Sequence, residues 1–170
     1  MKRIICLILA LHLFLLTGCH YNDGGGILEP VEFYYPRTSE SFLYGTDSGV
    51  FAAEAREASG HTGDLNYLIS MYLRGPQGEN LRSPFPADCT LEEIRIGGST
   101  LNIVLSEAFT QLEGTELTLA CAGLAQTFLP ISGMQRLRID AAAGEKTFTI
   151  ILFRDSMLLA DFSAFETPQE

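Results

Sequence analysis

The stretch from Thr62 to Phe109 constrains this chain most, because it specifies a helix, a stop, a rigid turn and a hairpin in fixed order. Leu65, Leu68, Ile69, Tyr72 and Leu73 recur at helical spacing, which gives one apolar face. Thr62 to Asp64 offers capping side chains at the start of this helix, and Gly75-Pro76 ends it. Ser83-Pro84-Phe85-Pro86 then fixes an extended approach, since each prolyl ring locks its own φ. Leu91 to Ile96 and Thr100 to Leu105 read as strands, with Gly97-Gly98 as a two-residue hairpin turn between them.

The flanks extend this pattern on both sides. Val31, Phe33 and Tyr35 alternate within Leu28 to Tyr35, so a first strand with one buried face is expected there. Pro36 to Ser48 is rich in Ser, Thr, Gly and Asp and reads as a loop. The alanines and charges of Val50 to Ala58 would suit a helix, but Phe51, Ala53 and Ala55 alternate, and a strand pairs naturally with the first. A second helix is expected from about Thr115 to Leu129, with Leu117, Ala120, Cys121, Leu124 and Phe128 as its stripe and Pro130 as its end. Gly123 in its middle costs about 1 kcal/mol relative to alanine, which points to a close backbone approach at that position. Gln135 to Asp140, with Arg136 and Arg138 alternating against Leu137 and Ile139, is a strand with one wet face. Thr147 to Phe153 follows the Ala143-Gly144 turn, and Met157 to Phe162 reads as its hairpin partner. The expected class is α+β in two layers. Two helices cover one face of a mainly antiparallel sheet, in the order β-β-α-β-β-α-β plus a C-terminal strand extension.

The N-terminus speaks about location. Lys2 and Arg3 precede the apolar run Ile4 to Leu16, and Leu16-Thr17-Gly18-Cys19 closes it. A charged start, an apolar middle and small residues before the cut make a secretory signal, and the run falls short of the roughly 20 apolar residues a spanning helix needs. The Leu-Thr-Gly-Cys ending resembles the bacterial lipobox. That resemblance implies lipidation of Cys19, cleavage just before it, and acylation of the new amine. Two acyl chains, at about 0.8 kcal/mol per buried methylene, hold a protein stably at a bilayer. The expected organisation is a lipoprotein signal peptide at 1–18, a Gly-rich flexible tether at 19–29, one domain at 30–166 and a polar tail at 167–170. The expected location is the extracytoplasmic face of the cell membrane, held there by lipid.

Charge and chemistry exclude more than they assign. Hydrophobic residues at 46% against 19% charged residues indicate a packed domain and not a disordered chain. The net charge is −10, and losing Lys2 and Arg3 with the signal makes it −12. An acidic domain without a basic stripe does not suit nucleic acid, which is excluded as a partner. His20 and His61 stand outside metal-ligand spacing, so no metal or cofactor is expected. His61, among Gly60, Thr62 and Gly63, reads as an exposed loop histidine. Glu92 and Glu93, as neighbours on a strand, point to opposite faces and form no carboxylate pair. Ser106 lacks a nucleophile-elbow context, and Gly24 to Gly26 lacks the Gly-Lys-Ser/Thr of a phosphate loop. Phe33, Tyr34 and Tyr35 read as sheet core with hydroxyls at the rim. No catalytic residues are assigned, and the chain is read as not an enzyme. Cys121 shares the stripe of Leu117, Leu124 and Phe128 and reads as a small buried hydrophobe, although an oxidising compartment leaves a Cys89–Cys121 disulfide open.

Between residues 31 and 142 the chain resembles the sporulation and spore germination domain called GerMN. The resemblance rests on Leu73-Arg74-Gly75-Pro76, Ser83-Pro84-Phe85-Pro86 and Val104-Leu105-Ser106-Glu107-Ala108-Phe109. Gln126-Thr127-Phe128 before Pro130, and Leu137-Arg138-Ile139-Asp140, continue it. Val104 stands where the family usually has an acid, the turn at Pro130 to Gly133 is looser, and the strands after Thr147 run past the usual end. The resemblance implies a non-catalytic structural or assembly module on the outer face of a membrane, with sporulation or germination as its setting. It also implies a protein partner or self-association. Binding of a small ligand or cell-wall polymer is the alternative reading.

The anchor generates a direct prediction. Cys19→Ala should leave the signal uncleaved at this site and remove acyl mass from the mature protein, as read by intact mass spectrometry. A mature N-terminus found elsewhere would contradict the assignment.

Overall fold

The computed structural model describes residues 30–44, 49–58, 60–144 and 146–154. The expected signal peptide, Cys19, His20, the tether, the Met157 to Phe162 strand and the tail lie outside the described residues. The described chain runs β1 (Val31–Pro36), α1 (Ser39–Tyr44), β2 (Phe51–Arg56), α2 (Leu65–Leu73), β3 (Leu91–Gly97) and β4 (Thr100–Leu105). A 3-10 helix (Glu107–Gln111), α3 (Gly114–Ser132), β5 (Arg136–Ala143) and β6 (Lys146–Phe153) follow. The class is α+β, as expected.

Several sequence expectations need correction. The strands form two sheets and not one: β1 pairs with β2, and β3-β4-β5-β6 make a second sheet. Within the second sheet β4 and β5 are parallel, because α3 carries the chain back along the sheet before β5 begins. The segment read as a loop after Pro36 contains α1. Thr38 caps it, its hydroxyl oxygen accepting the Ser41 N–H at 3.2 Å. Pro130 does not end α3. The helix runs to Ser132 and stops at Gly133, whose φ of 69° is the left-handed C-terminal conformation glycine favours. The Ser132 hydroxyl donates back to the Phe128 carbonyl at 2.6 Å, and the Gly133 N–H to the Pro130 carbonyl at 3.3 Å. The hairpin turn sits one residue later than expected, at Gly98-Ser99, because Gly97 is already paired with Thr100.

The helix at the centre of the sequence argument forms as read. Asp64 caps α2, its carboxylate accepting the Tyr67 N–H at 3.2 Å. Leu68 from α2 and Leu124 from α3 are fully buried, and they pack in one cluster with Phe33 and Tyr35 of β1 and with Leu101, Ile103, Leu137 and Ile139 of the larger sheet. A buried leucine of this kind is worth about 2–5 kcal/mol when cut to alanine. Tyr72 is the hub of the aromatic part of the cluster. Its ring stacks on Tyr35 at 4.5 Å and meets Phe33, Phe85 and Phe128 edge-on at 5.5–5.8 Å.

The split into two sheets has a local cause. The Tyr34 N–H donates to Thr127 Oγ1 of α3 at 3.0 Å, and the Tyr34 carbonyl accepts from the Tyr72 hydroxyl at 2.9 Å. The Pro36 carbonyl accepts the Arg82 N–H at 2.9 Å. Side chains and loop backbone therefore take the groups of Tyr34 and Pro36 that a third strand would have used. α3 passes close enough to do this because residue 123 is glycine. A Cβ there would stand 2.3 Å from the Tyr72 hydroxyl and 3.2 Å from the Tyr34 carbonyl.

A second tie holds β2 to the end of α2. The Arg56 guanidinium is buried, 5.7 Å and 5.6 Å from the ring centres of Phe33 and Tyr35. It donates to Glu54 Oε1 at 2.5 Å, to the Gly75 carbonyl at 2.6 Å and to the Met71 carbonyl at 3.4 Å. Those two carbonyls lie at the helix C-terminus, where a cation complements the dipole. Glu54 in turn accepts the N–H groups of Gln77 at 2.9 Å and Gly78 at 2.7 Å, so the charge pair also fixes the following loop.

Gly123→Ala should destabilise the protein by about 1–2 kcal/mol, because overpacking outweighs the gain in helix propensity. Adding Tyr72→Phe removes the atom the new methyl meets. The double variant should therefore lose at least about 0.5 kcal/mol less than the two single losses added together. Chemical denaturation of the four proteins measures this, and strict additivity would show that the Tyr72 hydroxyl is not the obstacle.

Candidate interaction surface

Strand alternation sorts the larger sheet into two faces. Leu101, Ile103 and Leu105 of β4, and Leu137, Ile139 and Ala141 of β5, point into the core beneath the helices. The intervening residues form the outer face, and the register sets their neighbours. Arg95, Asn102, Arg138 and Ile151 lie in one row across the four strands, and Glu93, Val104, Asp140 and Thr149 in the next. Arg136 and Phe153 are paired at one end of this face. Ile151 and Phe153 are each about half exposed, at 52% and 50%. In a chain of net charge −10, this face holds three arginines against two carboxylates.

Ion pairs order these side chains. Arg95 holds Glu93 by two hydrogen bonds, the one from Nε at 2.7 Å. Asp140 is almost fully covered and accepts from Arg138 Nε at 2.9 Å, Thr149 Oγ1 at 2.8 Å and Asn102 Nδ2 at 3.1 Å. Burial alone would raise the Asp140 carboxyl, but the hydrogen bonds from Arg138, Thr149 and Asn102 hold it below its ordinary value of 3.8. Arg136 donates to Ser99 Oγ at 3.1 Å and remains exposed. The result is an ordered patch of guanidinium groups beside an isoleucine and a phenylalanine, a composition enriched where proteins bind proteins.

The other residues weighed in the sequence have structural roles. Cys89 and Cys121 are both buried free thiols, so the disulfide left open above is not formed. Cys121 packs in the α3 stripe, and Cys89 follows the Pro84-Phe85-Pro86 turn into the core. Burial, with the charge of Asp88, pushes the Cys89 thiol up to about 11, and burial pushes Cys121 up to about 12, so neither is a ready nucleophile. His61 stacks on Tyr67 at 4.4 Å, with its Nδ1 3.8 Å from the Asp64 carboxylate at an exposed helix start. The Ser106 hydroxyl accepts the Thr90 N–H at 3.0 Å and closes the chain around the β3–β4 hairpin. Phe33 and Tyr35 are core. The Tyr35 hydroxyl donates to the Tyr72 carbonyl at 2.8 Å, and only Tyr34 of the three lies toward the rim. Glu92 is the extra residue of a bulge between Leu91 and Glu93, and Glu93 pairs with Arg95. Among the described residues no group of three or more His, Cys, Asp or Glu is placed to hold a metal ion. No helix among them is long and apolar enough to cross a membrane.

Sequence reasoning found the wet face of β5 from Arg136 and Arg138 but missed Asp140 as its centre. The signal was present, since Asp140 continues the same period of two. Its partners on β4 and β6 come only from the register.

No family model and no curated protein matches the chain. Among solved structures it is similar to the tandem GerMN domains of the sporulation protein GerM from Bacillus subtilis. The TM-score is 0.49 at 13% identity, covering 68% of this chain and 39% of that one. It is also similar to a candidate lipoprotein from Clostridium perfringens, with a TM-score of 0.46 at 18% identity, covering 75% of this chain and 88% of that one.

Asp140 gives a pH prediction whose sign is fixed by its lowered carboxyl. Such a group stabilises the fold above its ordinary value of 3.8 and loses that contribution as pH falls through the folded value. Asp140→Asn should therefore cost about 1.5–3 kcal/mol at pH 7, the range of hydrogen bonds to a charged group, and progressively less below about pH 4. Denaturant unfolding of both proteins across pH 3–7 checks this. A difference that grows toward low pH would show that Asp140 is not a stabilising anion.

Proposed function

We propose that this chain is a membrane-anchored extracytoplasmic lipoprotein whose folded part is a non-catalytic assembly module. The observation that carries the reading is the outer face of the β3–β6 sheet, where Arg95, Arg136 and Arg138 stand beside Ile151 and Phe153. Among the described residues the helices pack on the opposite face, and the arginines with Ile151 are exposed on this one. The lipobox-like Leu16-Thr17-Gly18-Cys19 supports the anchor. The resemblance of residues 31–142 to the GerMN domain supports an assembly role and gives spore formation or germination as its setting.

Holding such a module at a membrane confines its partners to a thin layer and raises their effective concentration, so a modest interface suffices. The partner is a protein of the same envelope or a second copy of this chain, and the response to salt separates the two. Like chains of net charge −10 repel, so screening by salt should strengthen self-association. A partner drawn by opposite charge should bind more weakly as salt rises.

Light scattering of the purified protein over a range of protein and salt concentrations, repeated with partners recovered from the envelope by crosslinking, tests the reading. Arg136→Glu, which leaves Arg138 in place on Asp140, should weaken the association observed and leave thermal unfolding close to wild type. A strict monomer that captures no protein and turns over a small substrate would overturn it.

A further inference from the structure

We infer that the free edge of β2 is a docking site for an extended peptide, which adds as a third strand to the β1–β2 sheet and places an acidic side chain against Arg74. This goes beyond the assembly reading and concerns a different sheet.

The two edges of the small sheet are treated differently. The hydrogen bonds made by Tyr34 and Pro36 show that the even-numbered residues of β1 turn their backbone groups away from β2. In the observed register Tyr34 stands opposite Ala53, Glu32 opposite Ala55 and Pro36 opposite Phe51. In an antiparallel pair, opposed residues either bond to each other or both turn outward. Phe51, Ala53 and Ala55 therefore turn their N–H and C=O groups away from β1. On the β1 side Thr127, Tyr72 and Arg82 satisfy the outward groups of Tyr34 and Pro36. On the β2 side no hydrogen bond from the described residues reaches the backbone of Ala53 or Ala55.

The devices that usually blunt an edge are missing at these positions. Ala53 and Ala55 are exposed, carry no charge and are not prolines, and the β1–β2 register runs without a bulge. A groove of about 620 Å³ begins at the same place, lined by Ala55, Arg56, Glu57, Met71, Arg74 and the loop Gly75 to Gln77. Its two arginines differ. The donors of Arg56 are committed to Glu54, Met71 and Gly75, whereas Arg74 is exposed and has no ion-pair partner among the described residues. Glu57 lies at the β2 end of the groove and Arg74 at the α2 end, so the groove is polarised along its length. An extended chain satisfies the open donors and acceptors through its own backbone. Its alternate side chains enter the groove, and an acid among them pairs with Arg74.

The probes are three heptapeptides in which valine alternates with glutamate, lysine or serine. Each is titrated into the full-chain protein in detergent micelles, with amide hydrogen exchange as the readout. The Val/Glu peptide should bind most tightly and slow exchange at Ala53 and Ala55. Arg74→Glu should weaken that peptide at least about tenfold and favour the Val/Lys peptide. Ala55→Pro removes one outward N–H that β1 does not use, so it should abolish binding of all three peptides. Binding without protection at Ala53 and Ala55, no binding by any of the three peptides, or equal binding of the Val/Glu and Val/Lys peptides would overturn the inference. The protection measured on the wild-type protein decides the matter even where the proline variant fails to fold. Because the outer face of β3–β6 takes no part, loss of peptide binding leaves the association reading intact, and the reverse also holds.

Discussion

The contact between Gly123 and the Tyr72 hydroxyl sets the spacing on which much of this structure depends. A helix with any side chain at that point would have to stand farther from β1, because the tyrosine oxygen already occupies the place of the Cβ. With glycine there, α3 comes near enough for Thr127 to take the Tyr34 N–H, while Tyr72 reaches past it to the Tyr34 carbonyl. One absent methyl group thus allows two strand-edge hydrogen bonds to be made by helices. Buried backbone groups without partners would cost about 1–3 kcal/mol each, so the arrangement is strongly specified. It also places the Tyr72 ring among Phe33, Tyr35, Phe85 and Phe128, joining the small sheet, the prolyl turn and both long helices.

The Arg56–Glu54 pair works on the same sheet from the other strand. A buried charge is costly unless it is matched, and here the guanidinium has a carboxylate, two helix-end carbonyls and two aromatic rings around it. Glu54 passes the constraint on to Gln77 and Gly78. The loop after α2 is therefore held against β2 without capping that strand. The middle of one strand is bonded by helices, and among the described residues no hydrogen bond reaches the outward backbone of Ala53 or Ala55 in its neighbour. The asymmetry follows from the side chains at hand: Thr127 and Tyr72 reach the edge of β1, and no described side chain hydrogen-bonds along the edge of β2.

The larger sheet divides its labour between faces. Its inner rows supply the aliphatic part of the core, and its outer rows concentrate arginine in a chain that is acidic elsewhere. Asp140 makes that concentration tolerable by accepting from Arg138, Asn102 and Thr149, which fixes the patch instead of leaving long cations free. An ordered surface loses less side-chain entropy when it is covered than one of free, long cations.

Sequence by itself determined the local elements, because period and turn chemistry are local. The α2 stripe with its Asp64 cap, the β3–β4 hairpin and the buried role of Cys121 were legible, as was the expectation that Gly123 marks a close approach. The acidic balance and the absence of a motif for chemistry were equally plain from composition and spacing. What tertiary structure alone decided is which backbone groups find which partners across the fold. That Tyr34 bonds to helices, and so splits one expected sheet into two, depends on residues 38 and 93 positions away. Whether Pro130 ends α3 depended on Ser132 and Gly133 being able to satisfy the last turn, and α1 hid within turn-rich composition because one threonine cap is a weak signal. The patch around Asp140 and the open edge of β2 are products of register. Register is an agreement between strands distant in sequence, and no single stretch of the chain contains it.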